Sequence, residues 1–241
     1  MLWLLEPSVA LCQSLVLAAS YLAHIGKPLH SWKYAQSAFS IFQQVRAAKA
    51  NCVSPQEDDA LCRVYWSCFI LECDRAAELD LPRSGVETLA DDMPLPLSHA
   101  ENDWVTTAFV AEIAIRRLLN RTHSTLYANR GSLAEDSMPS LHRVASELQS
   151  QLVGWYDSIP DTVRPSLEDE GHLSERSKIL RLRYYAAMHI IHRPSVLFIS
   201  DHPELDFTGT AILVSAKTCL YACRRYLHNS SKILNYRTPY L

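Results

Sequence analysis

The sequence predicts an all-α protein, a single irregular domain of about seven or more helices, and three observations predict it. Apolar residues recur at i, i+3, i+4 and i+7 along most of the chain. Only 6 glycines are present, and no Asn-Gly or Asp-Gly pair joins two alternating apolar runs, so hairpin signals are missing. Pro55, Pro82 and Pro160 fall at the edges of the periodic segments, where proline starts or stops a helix.

With 241 residues, 48% of them apolar and 20% charged, the chain has the composition of a globular protein. A chain of this length buries roughly 70% of its unfolded surface.

The first element is expected over residues 8–25. Leu15, Val16, Leu17, Ala18 and Ala19 imitate the apolar centre of a secretory signal. The preceding residues carry no Lys or Arg and include Glu6, and Gln13, Ser14, Ser20 and His24 interrupt the run. A buried core helix is therefore expected, not a targeting or membrane segment. A second helix is expected over residues 31–48.

The third opens at Ser54-Pro55-Gln56-Glu57, a capping box with proline at the first helical position. Asp58 and Asp59 follow where the helix dipole favours negative charge. Leu61, Val64, Tyr65 and Cys68 then form a stripe, and the helix is expected to reach Leu79. Asn102 is the expected cap of a helix carrying Val105, Phe109 and Ile113.

Leu141, Val144, Ala145, Leu148, Leu152 and Trp155 predict a helix over residues 140–159, stopped by Pro160. Ser174 is expected to cap a helix carrying Ile179, Leu182 and Tyr185 and ending near His192. The last opens at Thr208 or Gly209 and carries Ile212, Leu213, Ala216, Leu220 and Cys223. The connecting segments, residues 81–100, 124–138 and 161–173, are too short to read as domain boundaries. One domain over 1–241 is expected, incomplete at its C-terminal end.

Formal net charge is −3, so no basic field attracts a phosphate backbone and no DNA-binding residues are assigned. The 7 cysteines, at 12, 52, 62, 68, 73, 219 and 223, lie mostly in apolar helical runs. Free thiols in a reducing compartment are the expectation.

Site chemistry is sparse. His189 and His192 lie three apart on a helix, but no Glu completes a His-Glu-x-x-His pattern, so both are read as core histidines. Asp91-Asp92 and Asn102-Asp103 invite comparison with the magnesium-binding motifs of helical terpene cyclases. The partner positions hold Leu95 and Val110, so the acidic pair is read as a loop feature or cap. Ten histidines leave a Ser-His or Cys-His pair open, although no glycine-framed serine elbow occurs. Asp74 and Arg75 follow Trp66 and Phe69 on an apolar helix and are expected in a buried structural network. No catalytic, cofactor-binding or metal-binding residue is assigned, and no cofactor is expected.

Two stretches carry a family resemblance. The first is Arg63-Val64-Tyr65-Trp66, with Asp74-Arg75 beyond it, then Leu79, Pro82 and Asp91-Asp92-Met93-Pro94. The second runs from Leu180-Arg181-Leu182-Arg183-Tyr184-Tyr185 to Ile190-Ile191-His192-Arg193-Pro194. In that order they resemble the middle homology region of fungal zinc-cluster transcription factors. The chain departs from the family at Val45-Arg46-Ala47, where Gly-Leu-His is usual, and at Leu81-Pro82-Arg83, where Gly-Arg-Pro is usual.

The family's zinc binuclear cluster depends on Cys-x-x-Cys pairs, and none occurs here. The resemblance thus implies a helical regulatory domain without the DNA-reading head, beginning inside the family's regulatory region and stopping before its usual end. It implies a nuclear transcription regulator or co-regulator of a fungal metabolic or biosynthetic gene set. Its expected partners are a DNA-bound regulator or a second copy, with a small-molecule effector as a further candidate and no membrane. The competing expectations are an enzyme, such as a cyclase, on a helical scaffold, and a dimerisation module without regulatory output.

Overall fold

Among the described residues, seven α-helices and one 3-10 turn form the regular structure, and no strand occurs. The structure is a computed structural model that describes residues 6–48, 55–98, 103–127, 138–168 and 174–233. The all-α class expected from the periodicity is the observed one.

Helix α1 spans Val9–His24, and Ser8 caps it by accepting the Leu11 amide at 3.2 Å. It buries Cys12, Leu15, Ala19 and Ala23 and leaves Leu17 and Tyr21 exposed, so it covers a core with one stripe. Gly26 ends it in the left-handed region at φ 72°, where its amide and that of Lys27 reach the Ala23 and Leu22 carbonyls.

Helix α2, Pro28–Ala48, begins earlier than the periodicity suggests. Pro28 fits there because a first-turn residue needs no amide hydrogen. Helix α3 spans Pro55–Leu79 with Glu57 and Asp58 in its first turn. Ser54 and Asn102 lie outside the described residues. For α4, Trp104–Leu126, the residue accepting the Thr106 amide is Asp103, at 3.0 Å. Hydrogen bonds from the Thr106 side chain and amide hold the Asp103 carboxyl below its usual range.

Helix α5, Met138–Ser158, stops before Pro160 as expected. Helix α6, Glu175–Asp201, is capped by Ser174 but does not end near His192; it passes through Pro194 and continues to Asp201. A proline inside a helix removes one amide donor and orphans the carbonyl four residues earlier. Here that carbonyl belongs to Ile190, and the Tyr127 hydroxyl donates to it at 2.6 Å. A side chain distant in sequence supplies the missing bond, so the helix survives its proline. Helix α7, Ala211–Ile233, opens at Thr210 rather than Thr208 or Gly209. The Thr210 hydroxyl accepts the Leu213 amide at 3.2 Å, and Gly209, at φ 75°, forms the preceding turn.

The chain divides into two compact units, with the division falling after Thr106 inside α4 and not in a linker. In the first, α1 packs on α2 and α3, and α2 on α3. Its centre is aromatic: Phe39, Phe42, Tyr65, Trp66 and Phe69 contact one another at ring separations of 4.9 to 6.4 Å. In the second, α6 packs on α5 and α7. Ile115, Leu152, Trp155, Leu180, Tyr185 and Ile191 belong to its buried core. No helix among the described residues is long and apolar enough to cross a membrane.

Candidate functional site

Arg63, Tyr65 and Trp66 of the first motif, with Cys62 and Glu72 on the same helix, act on one segment, residues 81–98, which they strap to α3. Glu72, fully buried, accepts the amide and hydroxyl of Ser84. The Tyr65 hydroxyl donates to the Val86 carbonyl at 2.7 Å. Trp66 Nε1 donates to the Pro94 carbonyl at 2.7 Å, joined there by the Cys62 thiol at 3.1 Å. Arg63 closes the strap: its Nη2 reaches the Leu97 carbonyl at 2.7 Å, its Nη1 the Thr106 hydroxyl at 3.1 Å and its Nε Asp59 at 2.7 Å.

These donors and acceptors stand on successive turns of one helix face, so a loop with little regular structure finds partners for its backbone polar groups. The acidic pair Asp91-Asp92 sits at its exposed crest. Asp74 and Arg75 are buried, as expected, and Arg75 pairs with Glu78 one turn on. Burial pushes the thiols of Cys12 and Cys62 up to about 11, and that of Cys68 further in the same direction, so these three thiols stay protonated. The motif builds a scaffold for residues 81–98.

Chemistry-bearing side chains gather instead in the second unit, on the seam between α6 and α7. At one end, Ser195 donates to the Ser215 hydroxyl at 2.9 Å, and His192 Nδ1 lies 2.8 Å from the same oxygen. Farther along, the Cys219 thiol faces the His189 carbonyl at 3.5 Å. At the other end Arg225 bonds the Tyr185 hydroxyl at 3.3 Å, reaches the Leu167 carbonyl and stands over the Tyr185 ring. The pairings 195 with 215, 189 with 219 and 185 with 225 define an antiparallel register that no single-helix pattern contains.

Burial pulls the His192 ring down to about 4 from its usual 6.5, and nearby His142 acts in the same direction. His192 is therefore neutral at physiological pH, and its Nε2 has no hydrogen-bond partner. A neutral histidine beside two serines is the composition of a nucleophilic pair. The geometry gives it a different use. Both serines are buried within helices, whose backbone amides bond along the helix and are not turned toward a developing oxyanion. The trio pins two helices together.

The sequence sets His189 and His192 three apart and reads both as core histidines; in the structure His192 is buried against Ser215, and His189, half-buried, lies beside the cysteines. The donor atoms of His189, Cys219 and Cys223 lie within 4.8 Å of one another. The four-residue spacing of Cys219 and Cys223 sets two of these donors on one face of α7, but the third arrives only across the seam. Burial, then the positive charge of Arg193, lowers His189; burial raises Cys219, with Cys223 adding to the rise.

Deeper in the unit, Arg183 and Glu112 form an ion pair at 3.4 Å with both side chains about nine-tenths buried. Arg116 holds Asn120 through Nε at 3.0 Å. Arg181 and Arg183 of the second motif are buried in this unit, whereas Arg193 of the same motif is exposed.

No family model matches the chain, and no solved structure matches it. Two curated proteins do. Over 158 residues, 60% of the chain, it is 27% identical to an ABC-transporter-regulating transcription factor of Aspergillus fumigatus. Over 217 residues, 77% of the chain, it is 21% identical to the activator of stress genes protein 1 of Candida albicans. The chain is similar to fungal transcription factors. The matched regions span 17% and 22% of those two proteins' lengths, so the likeness concerns one part of much longer polypeptides.

Proposed function

We propose that the chain is a helical regulatory domain of the fungal zinc-cluster-regulator type, acting in the nucleus on transcription through a protein partner or an effector. The observation that supports it most is the likeness to two fungal transcription factors, which extends over most of the chain in the second case. The strap adds a physical reason for the motif: Arg63, Trp66 and Glu72 belong together because each holds the same segment. DNA reading falls outside these 241 residues' own chemistry, since they carry net charge −3 and no Cys-x-x-Cys pair. Regulation would then be conformational. A partner or effector shifts the domain between two arrangements by its differential affinity for them.

A reporter assay tests this. Fused to a heterologous DNA-binding domain in a fungal host, the chain is expected to change reporter transcription and to accumulate in the nucleus. An unchanged reporter together with nuclear exclusion sinks the proposal. A stable dimer by light scattering with an unchanged reporter instead identifies a dimerisation module.

A further inference from the structure

Cys219 and Cys223 stand four residues apart on α7, so their side chains share one face of that helix. Helix α6 brings His189 against the same face. The ligand atoms of the three residues lie within 4.8 Å of one another. Metal–sulfur bonds of about 2.3 Å place two sulfurs of a common ion about 3.8 Å apart in tetrahedral and about 4.0 Å apart in trigonal geometry, so small rotamer adjustments close the set around one ion. Cys219 is 2% exposed, whereas His189 and Cys223 are half-buried. The donors thus have an anchored side and an open side by which an ion enters.

The donor set is soft: two sulfurs and one imidazole. Structural zinc sites take four protein ligands, and three such groups gather here among the described residues. Charge narrows the choice further. Arg193, one turn beyond His189, acts electrostatically on both His189 and Cys219. Two thiolates with a monovalent cation leave one net negative charge, which that guanidinium, exposed to solvent, offsets in part. With a divalent cation the same three ligands are neutral and give the arginine no charge to meet.

We propose that His189, Cys219 and Cys223 form a three-coordinate site for a thiophilic monovalent cation, Cu(I). On binding, two metal–sulfur bonds and one metal–nitrogen bond form, two S–H bonds break, and both protons pass to solvent; the copper keeps its oxidation state. The site joins α6 to α7, so occupancy ties the two helices at the point where the Cys219 thiol meets the His189 carbonyl.

The test is an anaerobic titration of the purified chain with Cu(I) in competition with bicinchoninate, followed by X-ray absorption of the loaded protein. One tightly held ion per chain is expected, with a first shell of two sulfurs and one nitrogen. Cys223→Ser and His189→Ala alter half-buried positions and should retain helix content by circular dichroism. Each is expected to lower affinity on the order of a hundredfold or more, while His202→Ala, just past the end of α6, leaves it unchanged. Failure to compete with the chelator, an affinity in both site variants equal to that of the parent protein, or an all-sulfur shell overturns the site. Tighter retention of Zn2+ than of Cu(I) by the same three residues overturns the choice of ion.

Discussion

The two units of this protein solve the same problem, satisfying polar groups inside a helical core, in opposite ways. In the first, charged and aromatic side chains of α3 bond outward to the backbone of one irregular segment. Glu72, Tyr65, Trp66 and Arg63 each take a different point along residues 84–97. In the second, polar side chains of α6 and α7 bond mainly across a seam between helices, and some retain unused capacity, as at His192 Nε2. A backbone carbonyl offers the same acceptor whatever residue carries it, so the strap reads as a fixed structural device. A seam of His, Ser and Cys side chains changes with protonation or ligation. The first arrangement favours permanence and the second favours response.

The largest expected effect tests the permanence of the strap. Trp66 is fully buried at the centre of the aromatic cluster and also holds Pro94. Trp66→Ala is expected to cost about 3–5 kcal/mol, measured by denaturant unfolding. If unfolding is unchanged, the strap is not what holds this unit together.

The next effect concerns the seam and pH. His192 titrates at about 4 in the folded protein and near 6.5 unfolded, so the unfolded chain takes up a proton first as pH falls. The contribution of this depressed pKa is fully present above 6.5 and is lost as pH falls through the window from 6.5 to 4. The loss is about 3 kcal/mol. His192→Gln should flatten that part of the stability–pH curve. A curve as steep as in the parent would assign the titration to another group and remove the seam's claim to be the responsive region.

The smallest effect isolates one bond. Tyr127→Phe leaves the Ile190 carbonyl without its donor and should cost about 1–3 kcal/mol. Pro194→Ala in the same background restores a backbone amide and should recover part of that loss, a coupling that a double-mutant cycle of melting measurements detects. Additive effects would show that Tyr127 does not compensate for the proline.

Much of the architecture is legible in the sequence. The stripe from Leu61 to Cys68 marks α3, Ser174 marks the start of α6, and Pro160 marks the end of α5. Local rules decide such features because capping and periodicity depend on residues within a few positions. The burial of Asp74 and Arg75 follows equally from their place on an apolar helix. The motif around Trp66 is visible as a pattern, but its purpose is not, since a hydrogen bond to a loop residue at a separation of 28 leaves no mark in helical spacing.

The sequence by itself determines the all-α class, most helix positions and the lack of a Cys-x-x-Cys cluster. Only the tertiary structure decides the fate of individual polar groups. Pro194 reads as a stop, yet Tyr127 meets the carbonyl it orphans and the helix continues. His189 reads as a core histidine, yet α7 sets it, half-buried, beside Cys219 and Cys223. Propensity and periodicity act within one helix, whereas the partner of a polar side chain is chosen by the register between helices, which is set by how their apolar faces pack.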